Sequence, residues 1–220
     1  MDIIHSSGAA SLVVQLLTTL IDTYVLLIET NPANKDIKRL LFVENAVNMV
    51  EICFYVWMVF NFKVIKNITK YRYYDWVLST PTMLFTFSMY LLIHQKKENN
   101  ESHDLLTLVL QEKYVLAAII ALNWCMLYFG YQSEIGHLNT QWATFLGFIP
   151  FTLMFYLIYE NYAKHTRLGN QTFTYFVVVW GLYGVAALMA YKIKNTIYNV
   201  LDLFAKNFFG LFLAYVVVAG

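Results

Sequence analysis

Charge is scarce in this 220-residue chain: 13% of the residues are Asp, Glu, Lys or Arg, about half the share of an average soluble protein. A surface that meets water on every side is not built from so few. The formal net charge is +1 and no basic stripe is visible, which excludes a nucleic-acid partner. Cysteine is rarer still. Cys53 and Cys125 are the two in the chain, each inside an apolar run, so neither a disulfide framework nor a metal knuckle is expected. With three prolines and nine glycines no Pro/Gly-rich linker divides the chain, and no internal repeat is found. Residues 1–220 read as one domain. What remains is abundant: 59% hydrophobic and 18% aromatic residues, with a mean hydropathy of +0.52.

The apolar residues come in long runs. Stretches free of Asp, Glu, Lys and Arg extend from Ile3 to Ile21, Trp76 to Gln95, Tyr114 to Ser133, Ile135 to Tyr159 and Leu168 to Tyr191. Two more are interrupted: Leu40 to Phe62 by Glu44 and Glu51, and Asn195 to Gly220 by Asp202 and Lys206. A helical crossing takes about 20 residues, so the chain is expected to be an all-α membrane protein of seven transmembrane helices. The alternating pattern of a barrel strand is absent. Met1-Asp-Ile-Ile-His lacks the basic flank of a cleaved leader, so the first run is expected to act as its own insertion signal. Lys and Arg in the connectors favour an outer N-terminus and a cytoplasmic C-terminus by a small margin.

Ionisable groups inside the runs are costly and therefore point to function. Lys206 lies about eleven residues from one end of its run and fourteen from the other, too deep to reach an interface easily. A lysine so placed pairs with a carboxylate, loses its proton or is chemically converted, for instance to a Schiff base. Asp202, four residues earlier, is expected on the same helical face. A plain buried ion pair is the alternative. Arg72, Asp75 and Ser79 share one face of the third run, with Thr80 and Pro81 following. Arg72, Asp75, Asp202 and Lys206 together balance in charge. The second run carries Glu44, Asn48 and Glu51 at i, i+4 and i+7, a polar stripe of the kind a hydrated cation path needs. Five histidines at ends or in loops show no metal spacing and no nucleophile partner, so neither an enzyme nor a metal site is expected. Glycosylation triplets at Asn67, Asn100 and Asn170 carry little weight.

The sequence resembles the microbial rhodopsins. Arg72-Tyr-Tyr-Asp75-Trp76-Val-Leu-Ser79-Thr80-Pro81 looks like their third helix, and Val200-Leu-Asp202-Leu-Phe-Ala-Lys206-Asn207 looks like their retinal-attachment helix. Trp180-Gly-Leu-Tyr183 keeps the aromatic pair of the sixth helix, with Gly184 where a proline is usual. The resemblance implies all-trans retinal bound covalently to Lys206, with Asp75 and Asp202 as counterions and Asp75 as proton acceptor. It further implies that Tyr55 and Tyr183 hold Asp202, and that Trp76, Ser79, Thr80, Met83, Met126, Trp142, Trp180 and Tyr183 line the chromophore. Thr80 is expected to face Asn123 on the fourth helix.

Within that family the functions differ. Eleven residues beyond Asp75 stands Thr86, which cannot donate a proton as a pump's carboxylate would. Asp75 itself disfavours a chloride pump. Ser11, Glu44 and Asn207 are similar to residues of the giant-virus rhodopsins of group 1, some of which are light-gated cation channels. The resemblance implies that Ser11, Glu44 and Asn207 form an inner constriction and that Asn48, Glu51, Tyr55 and Arg72 continue the path. H+, Na+ or K+ would cross a host bilayer through a virus-encoded protein. An outward proton pump, with Glu44 as a displaced donor, or a sensory photoreceptor is the alternative. A seven-helix transporter without retinal is a further one, although the matching three-helix repeats it requires are not found.

Overall fold

The computed structural model describes residues 2–219. Among them the chain forms seven long helices: α1 Ile3–Leu27, α2 Lys35–Asn61, α3 Ile68–Glu98, α4 Leu105–Glu134, α5 Thr140–Ala163, α6 Arg167–Ala187 and α7 Tyr191–Ala219. No strand occurs among the described residues. Short polar side chains start most of the helices. Asp2, Asn67, Asp104, Asn139 and Thr166 each accept a hydrogen bond from a backbone N–H of the first turn, satisfying donors that have no partner within the helix.

Six of these helices are long and apolar enough to cross a membrane. The exception is α6, whose Asn170, Gln171, Thr172 and Thr174 dilute its hydropathy; at 21 residues it still reaches roughly 30 Å. Large apolar side chains face outward all around the bundle, among them Leu27, Phe60, Tyr114, Phe145 and Tyr215. Such a surface suits lipid rather than water. The protein is a multi-pass integral membrane protein.

Neighbouring helices pack in sequence, and α7 returns to α1 and α2, closing the ring. The third helix sits deepest: 72% of its most apolar window is buried, against 17% for α4. Two helix boundaries differ from the runs read in sequence. The first helix continues past Ile21 to Leu27 and so carries Asp22, fully buried, into the bundle. The run from Ile135 does not begin α5. Gly136 adopts φ +80°, a left-handed conformation that costs glycine little, and the chain reverses there before Asn139 caps the next helix.

Candidate functional site

Lys206 lies within a π turn, Leu203–Asn207, where Phe208 N–H bonds back to the Leu203 carbonyl. Such turns are frequent at functional sites in helices. The wider turn takes Lys206 out of α-helical register with Asp202, and the two form no ion pair. Lys206 Nζ instead lies 2.5 Å from Asp75 Oδ2 and 3.6 Å from Glu51 Oε1. All three are buried. The direct Asp202–Lys206 ion pair that their spacing offered is not formed. Glu51, read from the sequence as part of an ion path, occupies that place. The central set holds three carboxylates and two cations rather than two of each.

Asp202 belongs to a neighbouring layer built on Arg72. Arg72 Nη1 donates to Asp202 Oδ2 at 2.9 Å, and Tyr55 and Tyr183 each donate to Asp202 at 2.7 Å. Arg72 also donates through Nε to Asn195 Oδ1 at 3.3 Å, and through Nη2 to Asn199 Oδ1. Ser11 Oγ donates to the Asn199 carbonyl at 2.9 Å and accepts from Gln15 Nε2 at 3.1 Å. Ser11 therefore lies in the Arg72 layer.

The constriction of Ser11, Glu44 and Asn207 is not assembled. At 1.5 Å per residue, Glu44 stands eleven positions, roughly 16 Å, along α2 from Tyr55 of the Arg72 layer. Asn207 and Glu44 lie in a different group. Asn207 Nδ2 donates to Asn48 Oδ1 at 3.4 Å and Asn48 Nδ2 donates to Asp22 Oδ2 at 3.2 Å. Thr86 Oγ1 donates to Glu44 Oε1. Asp22, Glu44, Asn48, Thr86 and Asn207 are all fully buried. Asp22 was missed in the sequence because it lies five residues from the end of its helix, where a carboxylate reads as a boundary. Asn195 and Asn199 were missed because asparagine carries no charge to mark it.

Lys206 also lines an apolar cavity with about 900 Å³ free of protein atoms, counting its mouth. Trp76, Thr80 and Met83 of α3, Met126 of α4, Phe148 and Phe151 of α5, Trp180 and Tyr183 of α6 and Lys206 of α7 line it. Trp76 meets Tyr183 edge-on at 5.6 Å and Tyr198 at 5.2 Å. Thr80 Oγ1 accepts from Asn123 Nδ2 at 2.8 Å. Two expected lining residues lie elsewhere. Trp142 is 62% exposed and points to the lipid side, because α5 begins at Thr140 and turns its Ala143 and Gly147 to the cavity. Ser79 is buried but does not reach the cavity wall, and its Oγ has no hydrogen-bond partner. Gly184 has a steric reason: a Cβ there would lie 2.6 Å from the Phe148 ring.

A buried amine at the end of an aromatic-walled cavity, with a carboxylate in contact, fits one group well. It suits a long apolar molecule joined through nitrogen as a cation. The orphaned Trp180 Nε1 and Asp75 Oδ1 are the polar atoms left open around it. Residues 7–220 match the family model described as bacteriorhodopsin-like protein. The chain belongs to the bacteriorhodopsin-like protein family. This membership implies a retinal chromophore carried on a lysine. Among solved structures, the chain is similar to the viral rhodopsin OLPVRII, at 27% identity over 98% of this chain and 97% of the other, with a TM-score of 0.84. The blue light-absorbing proteorhodopsin from Med12 matches at 18% identity over 98% and 96%, TM-score 0.76. Acetabularia rhodopsin I matches at 16% over 99% and 94%, TM-score 0.77. The last two relate by fold alone. No curated protein sequence matches the chain. The all-α, seven-helix rhodopsin bundle expected from the sequence is the fold observed.

Proposed function

We propose that this bacteriorhodopsin-like protein is a retinal photoreceptor acting as a light-gated cation channel, without enzymatic turnover. The observation that carries the reading is the seam of buried oxygens along α1, α2 and α7. Gln15, Glu44, Glu51 and Asn207 each keep at least one buried oxygen without a hydrogen-bond partner. Oxygen acceptors with fixed negative charge favour a cation and replace its lost water. H+, Na+ and K+ are the ions such a seam serves.

All-trans retinal joined to Lys206 Nζ supplies light absorption and a change of shape at that nitrogen. The chain does the rest. Asp75 Oδ2, in contact with Lys206 Nζ, accepts its proton. Asp202, fixed by Arg72, Tyr55 and Tyr183, stays in place and keeps the arginine from swinging free. With the Lys206 charge gone, Glu51 loses its cationic neighbour and the Asn207–Asn48 bond loosens beside it. The seam then admits water and ions.

A second reading, outward proton pumping, is favoured by the Thr86–Glu44 hydrogen bond, which sets a carboxylate beside the position where a pump needs its donor. The 27% identity with a viral rhodopsin supports a virus-encoded protein, and the small excess of Lys and Arg in the inner connectors supports an N-terminus outside. Vesicles containing the retinal-loaded chain separate the two readings. Under light, the channel dissipates a preset sodium gradient and builds none. A proton gradient built in vesicles that start with none would establish the pump and reject the channel.

A further inference from the structure

Asp22 has no part in the roles above, yet it is fully buried on α1. Among the described residues, no lysine, arginine or histidine forms an ion pair with it; Arg72 and Lys206 are engaged with Asp202, Asp75 and Glu51. Its Oδ2 accepts from Asn48, and its Oδ1 has no partner. Asn48 in turn accepts from Asn207, the residue next to Lys206 and inside the same π turn. Asn207 Oδ1 is likewise a buried acceptor without a donor. One turn on, a Cβ at Gly210 would lie 2.5 Å from Asp22 Oδ2 and 3.1 Å from Asn48 Nδ2, so glycine is what lets the α7 backbone close over the carboxylate. A lone carboxylate charge held away from water is expensive, and one proton removes it.

We infer that Asp22 is a neutral carboxylic acid in the resting protein, and that it returns a proton to Lys206 after Lys206 has given its own to Asp75. The inference rests on Lys206 and Asp75 being the light-driven donor and acceptor. In the transfer the Asp22 O–H bond breaks, an N–H bond forms at Lys206 Nζ, and a carboxylate is left on Asp22. Water at the α1–α2 end of the bundle then restores the proton, and Asp75 gives up its own through the opened seam to the same end, so the cycle moves no net proton across. Asn48 and Asn207 are positioning residues: they tie the acid to the turn that moves with Lys206. From α2 the titratable neighbour is Glu44, and from α7 it is Lys206. Glu44 is equally buried but bonded to Thr86 on α3, and nothing ties it to α7.

The test uses the retinal-loaded full chain in lipid, read by infrared absorption in the dark and by recovery of the visible band after a flash. D22N is expected to remove one protonated-carboxyl band and to slow recovery by about a hundredfold or more. Azide, a small permeant weak acid, restores the rate. E44Q leaves in place the band that D22N removes, and azide does not accelerate its recovery. N48L keeps the dark band while slowing recovery by roughly five- to tenfold, about the worth of one hydrogen bond, and serves where D22N does not assemble. Recovery of D22N at the parent rate, failure of azide to restore it, or the same losses in E44Q in place of D22N would overturn the assignment. So would parent-rate recovery in N48L. If the unaltered chain forms no visible band with retinal, the reading of Lys206 itself fails.

Discussion

The two halves of the bundle treat buried charge in opposite ways. Around Arg72, charges are paired and bonded: the guanidinium reaches Asp202, Asn195 and Asn199, and both Asp202 oxygens accept hydrogen bonds. Around Asp22 and Glu44, two carboxylates share a buried cluster with no cationic side chain bonded to either, and acceptor oxygens are left over. A satisfied network in a low-dielectric interior is rigid. An unsatisfied one is poised to take up protons, water or ions. Lys206 stands at the border between the two, which suits a residue whose change of charge must be felt on one side and resisted on the other.

The largest effect is expected at that border. Lys206→Ala abolishes the visible absorption band on adding retinal; a band that survives places the chromophore elsewhere. Next comes the paired half. Arg72→Ala leaves Asp202 buried without its cation and is expected to cost about 3–5 kcal/mol, read as a fall in the thermal midpoint of bleaching. Asp22→Asn, its counterpart in the other half, keeps the shape and removes no ion pair, and is expected to change stability by about 1 kcal/mol or less. Equal losses in the two variants would erase the contrast between the halves. At the cavity wall, Gly184→Ala forces the Phe148 ring to shift, at about 1–3 kcal/mol, with a displaced absorption maximum. The smallest effects lie outside both halves. Asn139→Ala removes the α5 cap for about 1 kcal/mol, and Trp142→Ala, on the lipid side, leaves the absorption maximum unchanged.

The contrast also explains what the sequence could disclose. Seven apolar runs were enough for the fold, and a lysine isolated among them marked a place to look, because lipid penalises each charge and the exceptions stand out. The Asp202–Lys206 spacing misled: i and i+4 share a face in an α-helix, but a π turn intervenes and no single residue type announces one. Trp142 misled through its type, since an aromatic side chain suits a chromophore wall and a lipid boundary equally. Ser11 was assigned to the wrong layer because its depth depends on where α1 begins and how α7 lies against it. Asp22 was overlooked because it lies near a helix end. Its meaning comes from Asn48, Asn207 and Gly210, three residues distant in sequence that only packing brings to it.

A photocurrent–voltage series on the full retinal-loaded chain tests the central claim most directly. Light-evoked current is expected to cross zero, reverse sign, and shift its crossing point when the external cation concentration changes. Current that stays outward at every voltage and ignores external cations would contradict the channel reading.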